Sequence, residues 1–387
     1  MVIFCYICGI MLKTIKNPLK MSGLYICYGN AGAMMETPGM YGTSHLMEHL
    51  VCKTTDHMRS RFLENCICDN AFTGDEYVVF FMTGLTSRMK PLVKEYLRSI
   101  TGPATGLNPA IEKITREQFE NEKKTVLQEY GLSFTDPMDG PVSNALRKWF
   151  GYVSPIGLSG VVERFSYSDF RDAYYSIFTK PSMVLYVGPD DFKLPSIECA
   201  PHNSFKQFPG YKKRWDVELE PLPFTGRSPI VVSSKRLCIM EDATALQLVL
   251  NILSADLESP LYQEIREKRG LSYYCHAFLN TMGDAAVPIF TADTDRKNIG
   301  KLKKVYNMVF ADLENYVTEE RFRACVSLSK AEEETRKVLR YKTCEDILRK
   351  HLDLIRTDVN IGSLTFGRVL EVAKKYLSPE NILMYTP

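Results

Sequence analysis

The chain reads as an α+β protein built from two related halves, and three observations lead there. Its 387 residues exceed one average domain and suit two, each able to bury a core. Strand-like and helix-like runs alternate without a regular strand–helix–strand beat. Segments of the first half recur in the second.

The strand-like runs, rich in β-branched and aromatic residues, are 23–28, 77–83, 183–188, 230–238, 287–292 and 382–385. Helical patterns cover 87–99, 116–130, 168–178, 243–257, 297–316, 319–339 and 366–376. The opening MVIFCYICGIML lacks a basic leading region and a small-residue cleavage site, and it is too short to span a bilayer, so a first buried strand is expected. Cys5 and Cys8 form a CxxC with no second Cys or His pair at zinc-ribbon spacing, which favours buried thiols over a metal site.

DFRDAYYSIFTKPSMVLYVGP in the first half is echoed by RVLEVAKKYLSPENILMYTP at the end, helix then proline then strand, with Pro181 and Pro379 offset by 379 − 181 = 198 residues. A strand, turn and basic helix recur likewise, Arg88 against Arg296, offset by 296 − 88 = 208. Pro209, Gly210, Pro221, Pro223 and Gly226 interrupt every pattern between Phe205 and Ser228. The expected division is therefore a first domain over 1–208, a linker over 209–228 and a second domain over 229–387.

Hydrophobic residues at 45% and charged residues at 24% are globular values, and a net charge of +2 gives no excess to attract nucleic acid or an anionic membrane. Eleven cysteines, odd in number and scattered, read as reduced thiols of a cytoplasmic protein; they share no repeated spacing that would suggest a redox or cysteine-based metal protein.

The chemistry concentrates at His45-Leu46-Met47-Glu48-His49. Tyr41-Gly42-Thr43-Ser44 supplies a turn and a capping hydroxyl, and Leu46, Leu50 and Val51 suit a partly buried helix. On that helix His45, Glu48 and His49 share one face. Two imidazoles one turn apart can bind one zinc ion, and an adjacent carboxylate can take a proton from water. Catalytic zinc needs a third protein ligand, which a distant acid should provide. The plainer interpretation is two surface histidines beside a solvated glutamate.

HxxEH is the inverted zinc motif, and here the chain resembles the pitrilysin/insulysin family of metallopeptidases, which includes mitochondrial processing peptidases. Gly32-Ala33-Met34-Met35-Glu36-Thr37-Pro38-Gly39 is similar to that family's segment before the motif, and Asn70-Ala71-Phe72-Thr73 resembles its NAxT strand. The resemblance implies a third ligand in an ExE pair about seventy to eighty residues after the second histidine. Glu120, at 120 − 49 = 71, fits it. Read locally, Thr115 and Gln118 cap a helix running to Gly131, Glu120 is a surface partner of Lys124, and Glu117 and Glu122 compete for the ligand role. The family often has a supporting glutamate seven residues before the zinc ligand. That position is Lys113, with Glu112 adjacent.

The segment SPLYQEIREKRGLSY, 259–273, resembles the family's second signature, in which Arg266 and Tyr273 would contact substrate; by itself it is a charged helix end capped by Gly270. A guanidinium and a phenol can both donate to a carbonyl and to the oxyanion formed from it. The resemblance further implies two α+β domains, each a mixed, mostly antiparallel sheet covered by helices, forming half of a clamshell that a second subunit completes. A homodimer with two sites is the simplest form, and a heterodimer with a related subunit is the other. Peptide would join an exposed sheet edge at Asn70 and Ala71, residues otherwise read as a turn.

The expected protein is thus a cytoplasmic zinc endopeptidase acting on peptides or unfolded protein segments, with one zinc per chain held by His45, His49 and Glu120, Glu48 as general base, and no nucleic-acid or membrane partner. The alternative is a non-catalytic docking subunit of the same fold that assists an active partner.

Overall fold

A computed structural model of the chain describes residues 2–5, 12–16, 20–29, 31–37, 39–102, 108–136, 138–178, 180–189, 194, 197, 219, 222, 227–282, 285–338 and 361–387. These form two compact units, Met1–Gly131 with Val153–Gln207, and Leu132–Tyr152 with Phe208–Pro387.

The first unit carries a six-stranded sheet in the order β1-β2-β6-β3-β5-β4. Its strands are β1 (Val2–Cys5), β2 (Leu12–Lys16), β3 (Met21–Tyr28), β4 (Cys68–Thr73), β5 (Val78–Leu85) and β6 (Met183–Gly188). Only the β2–β6 pair is parallel. The opening segment thus forms β1, and β2 starts at its last residue, Leu12; the burial of its side chains, and Cys8 itself, lie outside the described residues. Alternation sends Leu24, Ile26 and Tyr28 of β3 and Val78, Phe80 and Met82 of β5 to one face, where they are fully or almost fully buried. Against them pack helix α1 (Thr43–Cys52) through Leu46, Leu50 and Val51, helix Thr86–Thr101 through Met89, Val93 and Tyr96, and helix Tyr167–Ile177 through Phe170 and Tyr174. Each such side chain contributes about 1.5–3 kcal/mol of burial.

The helix expected to stop at Gly131 continues through it, from Arg116 to Thr135, and is labelled α2 here. A glycine in a helix interior costs only about 1 kcal/mol, too little to end a helix held by Phe119, Val126 and Tyr130, all buried. Residues 132–152, which an unbroken 1–208 domain would include, belong with the second unit. They form a helix over Asp139–Phe150 that sequence periodicity missed, because its buried face mixes Val142, Ala145 and Leu146 with Asn144 and Arg147. Trp149 sets its ring edge-to-face 6.5 Å from Tyr385. Most of the linker expected over 209–228 lies outside the described residues.

The second unit repeats the pattern of the first. Strand β11 (Ile382–Tyr385) pairs β7 (Arg227–Ser234), which pairs β10 (Ala285–Asp295), which pairs β9 (Cys275–Met282) on its other side; the short β8 (Cys238–Ile239) continues beside β10. The order β11-β7-β10-β9 matches β6-β3-β5-β4, with a helix, Met240–Ser254, again following the second-listed strand's return. Both sheets are mostly antiparallel and carry helices, as an α+β fold of two related halves requires. Among the described residues no helix is long and apolar enough to cross a membrane.

Asp242, in the first turn of Met240–Ser254, is wholly buried and pairs with Arg368, Lys375 (2.7 Å) and the Tyr376 hydroxyl (2.7 Å). Burial raises its carboxyl, but the bonds from Lys375 and Tyr376 and the charges of Lys375 and Arg368 outweigh that and leave it below the ordinary value. A depressed folded value stabilises above the unfolded carboxyl's value of about 3.9 and loses that contribution as pH falls through the folded value. Asp242→Ala should lower the second unit's urea stability at pH 7 by about 2–4 kcal/mol. The loss should shrink as pH is taken below about 4; a pH-independent loss would contradict the assignment.

Candidate metal centre

Helix α1 buries Leu46, Met47, Leu50 and Val51 on one side and turns His45, Glu48 and His49 to the other. The imidazoles are 15% and 18% exposed, their rings nearly perpendicular with centroids 4.8 Å apart. They are therefore not free surface histidines. The capping hydroxyl expected from Thr43 or Ser44 is not used: the N-cap is Gly42 in the left-handed region, with no side-chain bond of its own.

The acid that meets them is Glu129. Its Oε2 lies 3.5 Å from His45 Nε2 and 3.5 Å from His49 Nε2. The three donor atoms lie within 4.8 Å of one another, and no other such group of three exists among the described residues. Two atoms each about 2.0–2.1 Å from a tetrahedral zinc lie about 3.3–3.4 Å apart. That spacing fits, and it is long for a direct hydrogen bond. Burial, with the neighbouring His49 second, lowers the His45 pKa to about 4, so its imidazole is neutral at pH 7, the form that binds metal.

Glu120 is not at the site. It is half exposed and pairs with Lys123 at 3.1 Å, rather than with Lys124. The reason is helical phase: Glu120 and Glu129 are nine residues, about two and a half turns, apart on α2 and point to opposite sides. Glu122 and Glu129, seven residues and almost two full turns apart, share a side.

Glu122 touches His49 from behind, Oε2 at 3.3 Å from Nδ1, while its Oε1 takes a 2.7 Å ion pair from Lys53. With Nδ1–H donated to Glu122, the His49 Nε2 lone pair is left facing Glu129. Glu122 lies seven residues before Glu129, the offset that Lys113 has from Glu120. Glu112 does not substitute for it: on a short helix, Pro109–Glu112, it binds Arg171 at 2.5 Å and the Tyr175 hydroxyl. Sequence held a usable signal, since among Glu117, Glu120, Glu122 and Glu129 only the last two are seven apart.

Glu48 is 8% exposed and accepts a 2.6 Å bond from the Thr73 hydroxyl of β4. Desolvation raises its pKa; the Thr73 bond and His49 pull it down, and Glu129 raises it further. Asn70 and Ala71 lie on β4, at the edge of the sheet, so they are strand rather than turn residues. A cavity of about 560 Å³ opens between α1, α2 and β4, lined by His45, Glu48, His49, Glu122, Glu129 and residues 70–73, with Pro155 and Ile156.

Arg266 and Tyr273 belong to the second unit. Arg266 sits in a π-helical turn, Gln263–Glu267, its guanidinium carbon 4.4 Å from the centroid of the Tyr273 ring and 4.8 Å from that of Tyr262. The structure brings these two residues together, and Tyr273 is 71% exposed.

Zinc bound by the purified protein should therefore depend on Glu129 and not on Glu120. Glu129→Gln should weaken zinc binding by about a hundredfold or more in competition with a chromophoric chelator, because a ligand is lost. Glu120→Gln should leave it within about twofold. The reverse ranking would overturn the geometry.

Residues 14–137, which contain the whole donor set, match the family description "Insulinase (Peptidase family M16)", and residues 205–328 match "Peptidase M16 inactive domain". The chain is 22% identical over 411 aligned positions to an uncharacterised zinc protease of Bacillus subtilis, covering 97% of this chain and 95% of that one. It is 20% identical to another from Streptomyces coelicolor, where the match covers 72% of this chain and 64% of the relative. Among solved structures, a protease from Helicobacter pylori superposes with a TM-score of 0.70 at 14% identity, covering 98% and 97% of the two chains. A peptidase M16 inactive domain from Pseudomonas fluorescens gives 0.73 at 14% identity over 98% and 95%. The chain belongs to the insulinase, or pitrilysin, family of peptidases, family M16.

Proposed function

We propose that the chain is a zinc-dependent endopeptidase that hydrolyses peptides or unfolded protein segments. The observation that carries this reading is the spacing of His45, His49 and Glu129 beside the buried carboxylate of Glu48 in one cavity. A zinc ion held there supplies Lewis-acid activation at neutral pH. Glu48 acts as the general base, taking a proton from the attacking water and returning it to the departing amine. Thr73 fixes the angle of that carboxylate.

Strand β4 offers to a peptide its outer edge, unpaired among the described residues, so that Asn70 and Ala71 hold substrate backbone as an added strand and side-chain selection stays loose. Arg266 and Tyr273 bind the peptide and stabilise the oxyanion, brought to the site by a second subunit with which the chain forms a chamber, each contributing half of a clamshell. A homodimer with two sites meets this need; a heterodimer with a related chain is the other arrangement. Cys27, Cys52, Cys66, Cys68, Cys238, Cys275 and Cys325 are free thiols, which supports a cytoplasmic setting. The docking-subunit alternative leaves the donor set unexplained, and the "inactive domain" match falls on residues 205–328, away from it.

Glu48→Gln tests the reading, since it keeps shape and removes the base. Zinc content should stay near one equivalent while cleavage of a mixed peptide library, read by mass spectrometry, falls by about 10²–10⁴-fold. Chelator-insensitive cleavage by the variant would contradict the mechanism, and a wild-type protein that carries zinc but cleaves nothing would favour the docking subunit.

A further inference from the structure

Glu36 lies outside the donor set and takes no part in the proposed chemistry, yet it is 6% exposed. One carboxylate oxygen accepts the Gly42 backbone N–H at 2.8 Å; the other accepts the Ser44 N–H at 2.6 Å and the Thr43 hydroxyl at 3.3 Å. Gly42 is the N-cap of the metal helix and Thr43 and Ser44 are its first residues, so Glu36 satisfies amide groups that a capping side chain ordinarily takes. No capping side chain could sit at residue 42. Its φ of +94° disfavours any side chain, and a Cβ there would lie 2.9 Å from Val162 and 3.0 Å from the backbone of Gly157. The Gly157 position is equally closed, since a Cβ on it would meet Gly42 at 2.2 Å.

The first turn of α1 is thus clamped between the backbone at Gly157 and the carboxylate of Glu36, and His45 follows Ser44 directly. We propose that Glu36 is a positioning residue for the metal centre: by capping α1 from six residues upstream it sets the register of His45 and His49 against Glu129. This rests on the zinc reading above. A negative charge at a helix N-terminus is also favourable in itself. Burial pushes the Glu36 carboxyl up to about 7, and the bonds from Ser44, Gly42 and Thr43 offset part of that rise.

The test compares zinc affinity, by competition with a chromophoric chelator, in wild type, Glu36→Gln, Glu36→Asp and Val93→Ala. Val93 is fully buried on helix Thr86–Thr101, distant in sequence from the donor set, and its truncation reports general destabilisation of the same unit. Gln turns an N–H₂ toward donors, so Glu36→Gln should bind zinc at least about tenfold more weakly. Its Co²⁺-substituted form should show an altered visible ligand-field spectrum. Glu36→Asp keeps the charge and should recover part of the loss. Val93→Ala should lower thermal stability while zinc affinity and spectrum stay as in wild type. Should Glu36→Gln not fold, Glu36→Asp against Val93→Ala carries the same comparison. Equal affinity in Glu36→Gln and wild type, or an equal loss in Val93→Ala, would overturn the positioning role. A wild-type protein that binds no zinc would instead overturn the zinc reading.

Discussion

The site depends on the phase of one helix against another. Helix α1 presents two imidazoles and a carboxylate on the side opposite its apolar face, and these groups can be buried only if partners meet them. Helix α2 supplies the partners from positions almost two turns apart: Glu129 toward both Nε2 atoms, and Glu122 toward His49 Nδ1. Lys53, at the end of α1, closes the chain by pairing Glu122. A one-residue slip of α2 would rotate Glu129 by about 100° and remove the acid from both histidines together. The buried Phe119, Val126 and Tyr130 on the same helix hold that phase.

This explains what could be read from sequence and what could not. His45, Glu48 and His49 were legible because their relation lies within one helix, where spacing alone fixes the shared face. The third acid was not, because Glu117, Glu120, Glu122 and Glu129 are all compatible with an exposed helix, and the choice is made by a partner helix some seventy residues away. Two edge strands were missed by periodicity: Cys68-Asp69-Asn70 reads as a turn, and His276, Asn280 and Thr281 dilute β9, although both strands pair regularly. Arg147 and Asn144 hid a buried helix in the same way. The central strands followed from β-branched and aromatic runs, as burial on both faces demands, and the kinship of the two halves followed from the echoed segments around Pro181 and Pro379.

The two halves share a strand order but use the helix after their central strand differently. In the first unit, that helix carries His45 and His49, its first-turn amides are met by Glu36, and the polar face opens on a cavity. In the second unit the corresponding helix carries Asp242 in its first turn, its charge met by Arg368, Lys375 and Tyr376, and among the described residues no cluster of three metal-ligating side chains occurs there. One copy of the plan is organised around a cluster of His45, His49 and Glu129 and the other around a buried ion pair. The description of residues 205–328 as an inactive domain agrees with that division.

The central claim, that His45, His49 and Glu129 together hold one ion, is tested most directly by a crystal of zinc-loaded protein measured at the zinc absorption edge. The account predicts one strong anomalous peak per chain in the first unit, about 2.0–2.2 Å from both Nε2 atoms and a Glu129 oxygen, with Glu122 hydrogen-bonded to His49 and outside the coordination sphere. A peak ligated by Glu120 or by cysteine thiols, or the absence of any peak at α1 in zinc-loaded crystals, would contradict it.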